Sequence, residues 1–116
     1  MNNNYSFKST LEQAESLIGK HISIDAVLVI HGGDAYLVES VEDPQSPKKI
    51  PVNCPELELK LDLQIGGWMG GSYSYIDPVR IFGRIENGTT RKNKLMLSNV
   101  TELTMIRDDE SIRILL

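Results

Sequence analysis

Hydrophobic and polar residues alternate along Val79–Ile85, and this stretch gives the clearest strand pattern in the chain. One face of the strand carries four apolar or small positions, Val79, Ile81, Gly83 and Ile85. The opposite face carries Arg80, Phe82 and Arg84. A glycine in the middle of such a strand indicates a bulge or a tight corner of a barrel. The pattern therefore predicts a small antiparallel barrel with this segment in its wall.

The same period of two predicts further strands on both sides of this stretch. Lys20–His31 reads as a long strand, and its second face changes from polar to apolar, as expected for a strand that enters a second packing environment. Gly32-Gly-Asp34 predicts a hairpin turn that leads into a returning strand, Ala35–Val41.

Beyond a proline-containing surface loop at Glu42–Lys49, the strand signals become shorter. Ile50–Cys54 is a short candidate, and Pro51 favours an edge position because it cannot donate to a ladder. Lys94–Arg107 is the last long strand, with a break expected near Asn99.

Two stretches carry helical signals. Ser9-Thr-Leu-Glu12 fits a capping box, and the apolar residues that follow recur at helical spacing up to Gly19, which predicts a helix over 9–19. In Glu56–Ile65, leucines alternate strictly with polar residues as in a strand, yet the residue types favour a helix. The sequence leaves both structures open for this stretch.

Length and composition indicate one domain with an ordinary core. The chain has 116 residues, of which 41% are hydrophobic, and a formal net charge of -4. Its pI of about 5.1 counts against a dedicated nucleic-acid binder, which is usually basic. The first residues lack the basic and apolar segments of a secretory signal, so a cytoplasmic protein is expected.

The order of these elements resembles the OB-fold, a five-stranded Greek-key barrel. The residues that carry the resemblance are Gly19-Lys-His-Ile-Ser-Ile-Asp-Ala-Val-Leu-Val, Val79–Ile85 and Leu95-Met-Leu-Ser-Asn-Val-Thr-Glu-Leu. The expected fold is thus mainly β, an OB-fold-like barrel over 20–107. The barrel is accompanied by a flexible N-terminus (1–8), a short helix (9–19), a long Gly-rich aromatic loop before the fourth strand and a tail (108–116).

The resemblance implies a nucleic-acid or oligosaccharide site on the second and third strands, flanked by the 1–2 and 4–5 loops. In this sequence those loops are His31–Asp34 and Asn87–Lys94. The candidate nucleic-acid-binding residues are Tyr36, Arg91, Lys92 and Lys94. The alternative is that the basic 4–5 loop is simply a solvated turn.

The loop at residues 66–78 combines four glycines with Trp68, Tyr73 and Tyr75. Large aromatic rings in water would expose apolar area, and functional residues concentrate on loops. The three rings therefore either fold back to close one end of the barrel or form a partner-binding surface.

Arg80, Phe82 and Arg84 are the second candidate surface, because arginine and aromatic residues are enriched in the residues that dominate binding at interfaces. The alternative is cross-strand pairing of the arginines with acids such as Glu102, with Phe82 covered by the leading helix.

Catalytic signals are missing from the sequence. It contains no phosphate-binding glycine motif, no nucleophile elbow and no spaced metal-ligand set, and its single cysteine, Cys54, has no neighbouring cation. We expect no cofactor and no metal.

The sequence predicts a non-enzymatic module that binds another protein, with an inhibitor or immunity-type factor against a basic enzyme as one such role. A single-stranded nucleic-acid binder is the alternative, and an accessory subunit of an enzyme is a third.

Overall fold

The computed structural model describes residues 4–65, 73–88, 95–107 and 109–116. Within these ranges the chain is mainly β, as predicted, with seven strands in one sheet and three short helices. The strands are β1 (Asn4–Ser6), β2 (His21–His31), β3 (Asp34–Val38), β4 (Ile50–Pro51), β5 (Tyr73–Asn87), β6 (Leu95–Arg107) and β7 (Glu110–Leu115). The helices are α1 (Phe7–Glu12), α2 (Ala14–Leu17) and α3 (Leu57–Gln64).

The strands follow the order β4-β3-β2-β5-β6-β7, and β1 adds to β2 in parallel. All the other ladders are antiparallel. The described ladders do not close into a ring. An isolated bridge nevertheless joins Val52, just after β4, to Leu97 in β6, and the Asn53 N–H donates to the Leu97 carbonyl at 2.7 Å.

The core lies on one side of this sheet and is built from the alternating apolar positions of its long strands. A second, smaller cluster lies on the other side, where the apolar end of β2 packs with β3. Its buried members are Val27, Val29, Tyr36 and Val38. The predicted change of character along the second face of β2 is thus confirmed.

Gly83 interrupts the β5–β6 ladder, because the register shifts between Phe82 and Arg84. A Cβ at Gly83 would lie 2.8 Å from the carbonyl oxygen of Ser98, so the close approach of the two backbones requires glycine. On the facing strand, Asn99 has a φ of 48°. The irregularity predicted at Gly83 is present. The break expected near Asn99 is not, because β6 continues through Asn99 and only the ladder to β5 is interrupted there.

The N-terminal region differs from the prediction of a helix over 9–19. Ser6, and not Ser9, caps α1, since its hydroxyl accepts the Ser9 N–H at 3.1 Å. The helix breaks at Gln13 into two short pieces. Asn4–Ser6, predicted to be flexible, pairs with β2 instead.

Three other segments also become clearer in the structure. The stretch left open between helix and strand forms α3, with Leu57 and Leu61 buried and Leu59 and Leu63 exposed. The second half of the predicted aromatic loop belongs to β5, because Tyr75 and Ile76 pair with β2. The apolar tail forms β7 along β6.

Candidate protein-binding surface

The outward side chains of β5 form the centre of a surface that extends over four strands. Because opposite residues in antiparallel strands share a face, the register defines the members of this surface, which we call the β5 face. They include His21, Ser23, Asp25, Arg80, Phe82, Arg84, Glu86, Met96, Ser98, Glu102, Thr104, Arg113 and Leu115.

Arg80 is already paired on this face. Its Nε donates to Asp25 Oδ1 at 2.8 Å and its Nη2 to Oδ2 at 3.2 Å, while Asn4 donates to the same carboxylate at 2.8 Å. The hydrogen bond from Arg80 lowers the pKa of Asp25 below its ordinary value. The cross-strand pairing considered from the sequence therefore exists, but with Asp25, since Glu102 pairs with Arg113 instead.

Phe82 lies half-buried in the middle of the β5 face. Its ring stacks on that of His21, with centroids 6.1 Å apart and planes 22° apart. Glu102 lies opposite Phe82, and Leu115 lies opposite Glu102 in the same cross-strand row. Leu115 is 66% exposed, so an aromatic ring and an exposed leucine share one row of the surface.

Arg84 differs from Arg80 because it forms no ion pair with any residue that the structure describes. Its Nε is buried without a hydrogen-bond partner among the described residues, and so is the hydroxyl of Ser98, its cross-strand neighbour. Ser98 is only 5% exposed. A charged donor and a hydroxyl are therefore both shielded from water in one row of the β5 face.

Tyr75 does not lie on a surface. It is fully buried, and its hydroxyl donates to Asp62 of α3 at 2.8 Å. Burial, with the Asp62 hydrogen bond as a smaller cause, raises the pKa of Tyr75. Beneath it, Arg107 forms a two-pronged ion pair with Asp77, with N–O distances of 2.8 and 3.1 Å. Tyr75 thus packs in the core and does not contribute to a partner-binding surface.

Tyr73 is half-buried near the opposite end of the β2–β5 ladder from Arg84. Its ring lies 4.5 Å from that of His31, and its hydroxyl accepts a hydrogen bond from Gln45 at 2.7 Å. The structure therefore does not bring Tyr73 together with Phe82 and Arg84. Trp68, the third ring of the predicted site, lies outside the described residues.

A cavity of about 550 Å³ lies beside β3 and β4, on the side that the OB-fold resemblance indicates for ligands. Tyr36 lines it, but only 7% of this residue is exposed, and Lys49 Nζ lies 4.3 Å from the centre of its ring. The ring is thus covered and not open to base stacking. The proposed phosphate contacts Arg91, Lys92 and Lys94 lie outside the described residues.

Cys54 also lines this cavity, and burial raises the pKa of its thiol. The thiol is therefore held in its protonated, less nucleophilic form. Over the ranges that the structure describes, no three His, Cys, Asp or Glu residues are grouped as a metal site. His21 and His31 lie at opposite ends of β2.

Most members of the β5 face were not selected from the sequence, and His21 and Ser98 show why. The position of His21 on the outward face of β2 could have been read from the alternation, but its pairing with Phe82 depends on the register between distant strands. Ser98 carries no sequence signal, because it reaches Arg84 only through the irregular ladder around Gly83.

Comparisons with protein-family models, with curated proteins and with solved structures find no significant match for this chain. In the part of the chain that the structure describes, no helix is long and apolar enough to cross a membrane.

Proposed function

We propose that this chain is a non-enzymatic protein-binding module that engages its partner through the β5 face. The observation that carries the proposal is the row in which half-buried Phe82 and exposed Leu115 flank Glu102. Asp25 and Arg80 form an ion pair in the neighbouring row, and Arg113 of that same row pairs with Glu102. Aromatic residues and arginines are enriched at protein interfaces, and both occur on this face.

The scaffold of this module is, in our proposal, an OB-fold-like barrel. Five strands support it, in the order β4-β3-β2-β5-β6, together with the Val52–Leu97 bridge between the segment after β4 and β6. Such a return contact is what a partly open five-stranded barrel needs. Helix α3 lies between the third and fourth of these five strands along the chain.

The role we assign to the module is that of an inhibitor or immunity-type factor for a basic enzyme. The support is the formal net charge of -4 on a chain of 116 residues. An acidic protein attracts a basic partner at long range, which accelerates association and discriminates against acidic competitors.

Capture of the partner from the native host tests the proposal when it is compared across two matched variants. Leu115→Glu places a charge on the β5 face, at the β7 end of the row that holds Phe82, whereas Leu63→Glu places the same charge on α3, where Leu63 is 77% exposed. We expect a protein that is retained by the wild type and by Leu63→Glu and is lost with Leu115→Glu. Equal retention by all three proteins would contradict the proposal.

The second candidate function is the binding of single-stranded nucleic acid, which the cavity beside β3 and β4 favours. Binding of this kind weakens steeply with salt. It would depend on the 4–5 loop, so Arg91→Glu combined with Lys92→Glu would abolish it, while Leu115→Glu would not. Nuclease treatment of the captured material separates the two functions, because only partners held through nucleic acid are then released.

A further inference from the structure

We propose that Arg84 and Ser98 form an anchor site for a carboxylate group, supplied by an acidic side chain or the C-terminus of the partner protein. The inference rests on the proposed function, because it assigns chemistry to one place on the β5 face. It goes further by naming the two side chains that bind and the group that they receive.

The arginines provide the first observation. Of the four that the structure describes, three form ion pairs: Arg80 with Asp25, Arg107 with Asp77 and Arg113 with Glu102. Arg84 is the exception, although its Nε is buried. A charged donor that is shielded from water and has no acceptor is costly to maintain. A partner's acceptor would remove that cost.

Ser98 provides the second, independent observation. It lies opposite Arg84 in the β5–β6 ladder, is 5% exposed, and its hydroxyl has no hydrogen-bond partner within the described ranges. A buried polar group without a partner requires an explanation in a folded protein. Two such groups in neighbouring positions on one face have a common explanation if both bind the same acceptor.

The chemistry of the donors suits a carboxylate. A guanidinium presents its N–H groups in a planar fork that fits the two oxygens of a carboxylate, and the serine hydroxyl adds one further donor. Nη2 of Arg84 lies near Gly19, 3.9 Å from where a Cβ would be, so the side chain reaches toward the start of β2. His21, opposite Arg84 on β2, closes the row on that side.

The surrounding charges favour a singly charged ligand over a phosphate dianion. Glu86 lies two residues along β5 on the same face as Arg84, and Glu102 lies opposite Phe82 in the adjacent row. Neither carboxylate forms an ion pair with Arg84 in the described chain. Both would repel a dianion more strongly than a monoanion. We therefore assign the site to a carboxylate.

Sodium acetate tests the site directly on the full chain, through the ¹⁵N–¹H resonances of the arginine Nε groups. The Arg84 signal is identified by its loss in Arg84→Lys. We expect acetate to shift this signal saturably, half-complete at roughly 10 to 100 mM, with little change at Arg80, Arg107 or Arg113. Ser98→Ala should weaken the binding several-fold.

Sodium chloride at matched ionic strength and inorganic phosphate are the control titrations. Equal shifts at all four described arginines, or no saturable shift at Arg84, would overturn the anchor. Tighter binding of phosphate than of acetate would overturn the assignment to a carboxylate. An unchanged acetate affinity in Ser98→Ala would remove Ser98 from the site.

The partner-capture experiment separates failure of the anchor from failure of the proposed function. Capture that is lost with Leu115→Glu but retained with Arg84→Lys and Arg84→Gln would keep the protein-binding surface and overturn the anchor. Acetate binding at Arg84 without any capture that depends on Leu115 would keep the carboxylate site and overturn the proposed function.

Discussion

At the scale of single residues, burial decides what an ion pair contributes. Asp77 and Arg107 have side chains that are 3% and 13% exposed, whereas those of Asp25 and Arg80 are 44% and 61% exposed. Both arginines contact their carboxylate with two nitrogens. The two pairs therefore have similar geometry and different access to water, which makes them a matched comparison.

Neutralising each carboxylate should affect stability very differently. We expect Asp77→Asn to lower the free energy of unfolding by about 3 to 5 kcal/mol, because the Arg107 charge would stay buried without its partner. Asp25→Asn should lower it by about 1 kcal/mol or less, as is typical of exposed pairs. Urea denaturation of the two variants measures both values. Similar losses of stability would contradict the claim that burial makes the Asp77–Arg107 pair contribute more than the Asp25–Arg80 pair.

The contribution of Asp25 should also depend on pH in a defined direction. Its folded-state pKa lies below the ordinary value of 3.8, so its stabilising effect is fully present above that value. The effect is lost as the pH falls through the folded-state pKa. The difference in stability between the wild type and Asp25→Asn should thus be constant near neutral pH and vanish in strong acid. A difference that grows toward acid pH would contradict this account.

At the scale of elements, α3 illustrates where sequence patterns fail. Its leucines alternate strictly, and this alternation alone predicts a strand with one apolar face. In the helix, the same residues separate into Leu57 and Leu61, which are buried, and Leu59 and Leu63, which are exposed. Alternation could not distinguish a helix from a strand, because Leu59 and Leu63 are apolar although they face solvent. With leucine on both faces, the sequence does not show the helical period.

Truncating two leucines of α3 tests the helix. Leu61→Ala should lower the free energy of unfolding by about 2 to 5 kcal/mol, since Leu61 is fully buried. Leu63→Ala should change it by about 0.5 kcal/mol or less, because Leu63 is 77% exposed. Thermal or urea unfolding measures both. In a strand the two residues would share a face, so equal losses would contradict the helix.

The strands were predicted better than the helices and the candidate site. The alternation identified the long strands, and Gly83 and Asn99 marked the irregular places in the β5–β6 ladder. The helix cap at Ser6 was missed, because Ser9-Thr-Leu-Glu12 offered an equally good capping pattern one turn later. Local patterns give the period of an element more securely than its ends.

The pairing of side chains across the sheet could not be predicted for a different reason. The alternation placed Arg80, Phe82 and Arg84 on one face, but their partners depend on the register between strands that are distant in sequence. The bulge at Gly83 shifts that register by an amount that the sequence does not specify. Ser98 and Asp25 therefore entered the candidate site only through the structure.

At the scale of the whole molecule, an acidic chain carries the localised surface that we propose for partner binding. The formal net charge of -4 favours basic partners at long range. Arg84, whose Nε has no hydrogen-bond partner among the described residues, is the proposed site of one acidic contact at short range. The two effects are compatible, because long-range attraction depends on net charge and docking depends on individual groups.

Photo-crosslinking in the native host tests the central claim, a protein partner on the β5 face, most directly. A benzophenone side chain replaces Thr104, which lies between Arg80 and Arg113 on this face, and in a control it replaces Gln64, which is exposed on α3. We predict a discrete protein adduct from position 104 that is absent from position 64 and persists after nuclease treatment. Adducts from both positions, or from position 64 alone, would contradict the account.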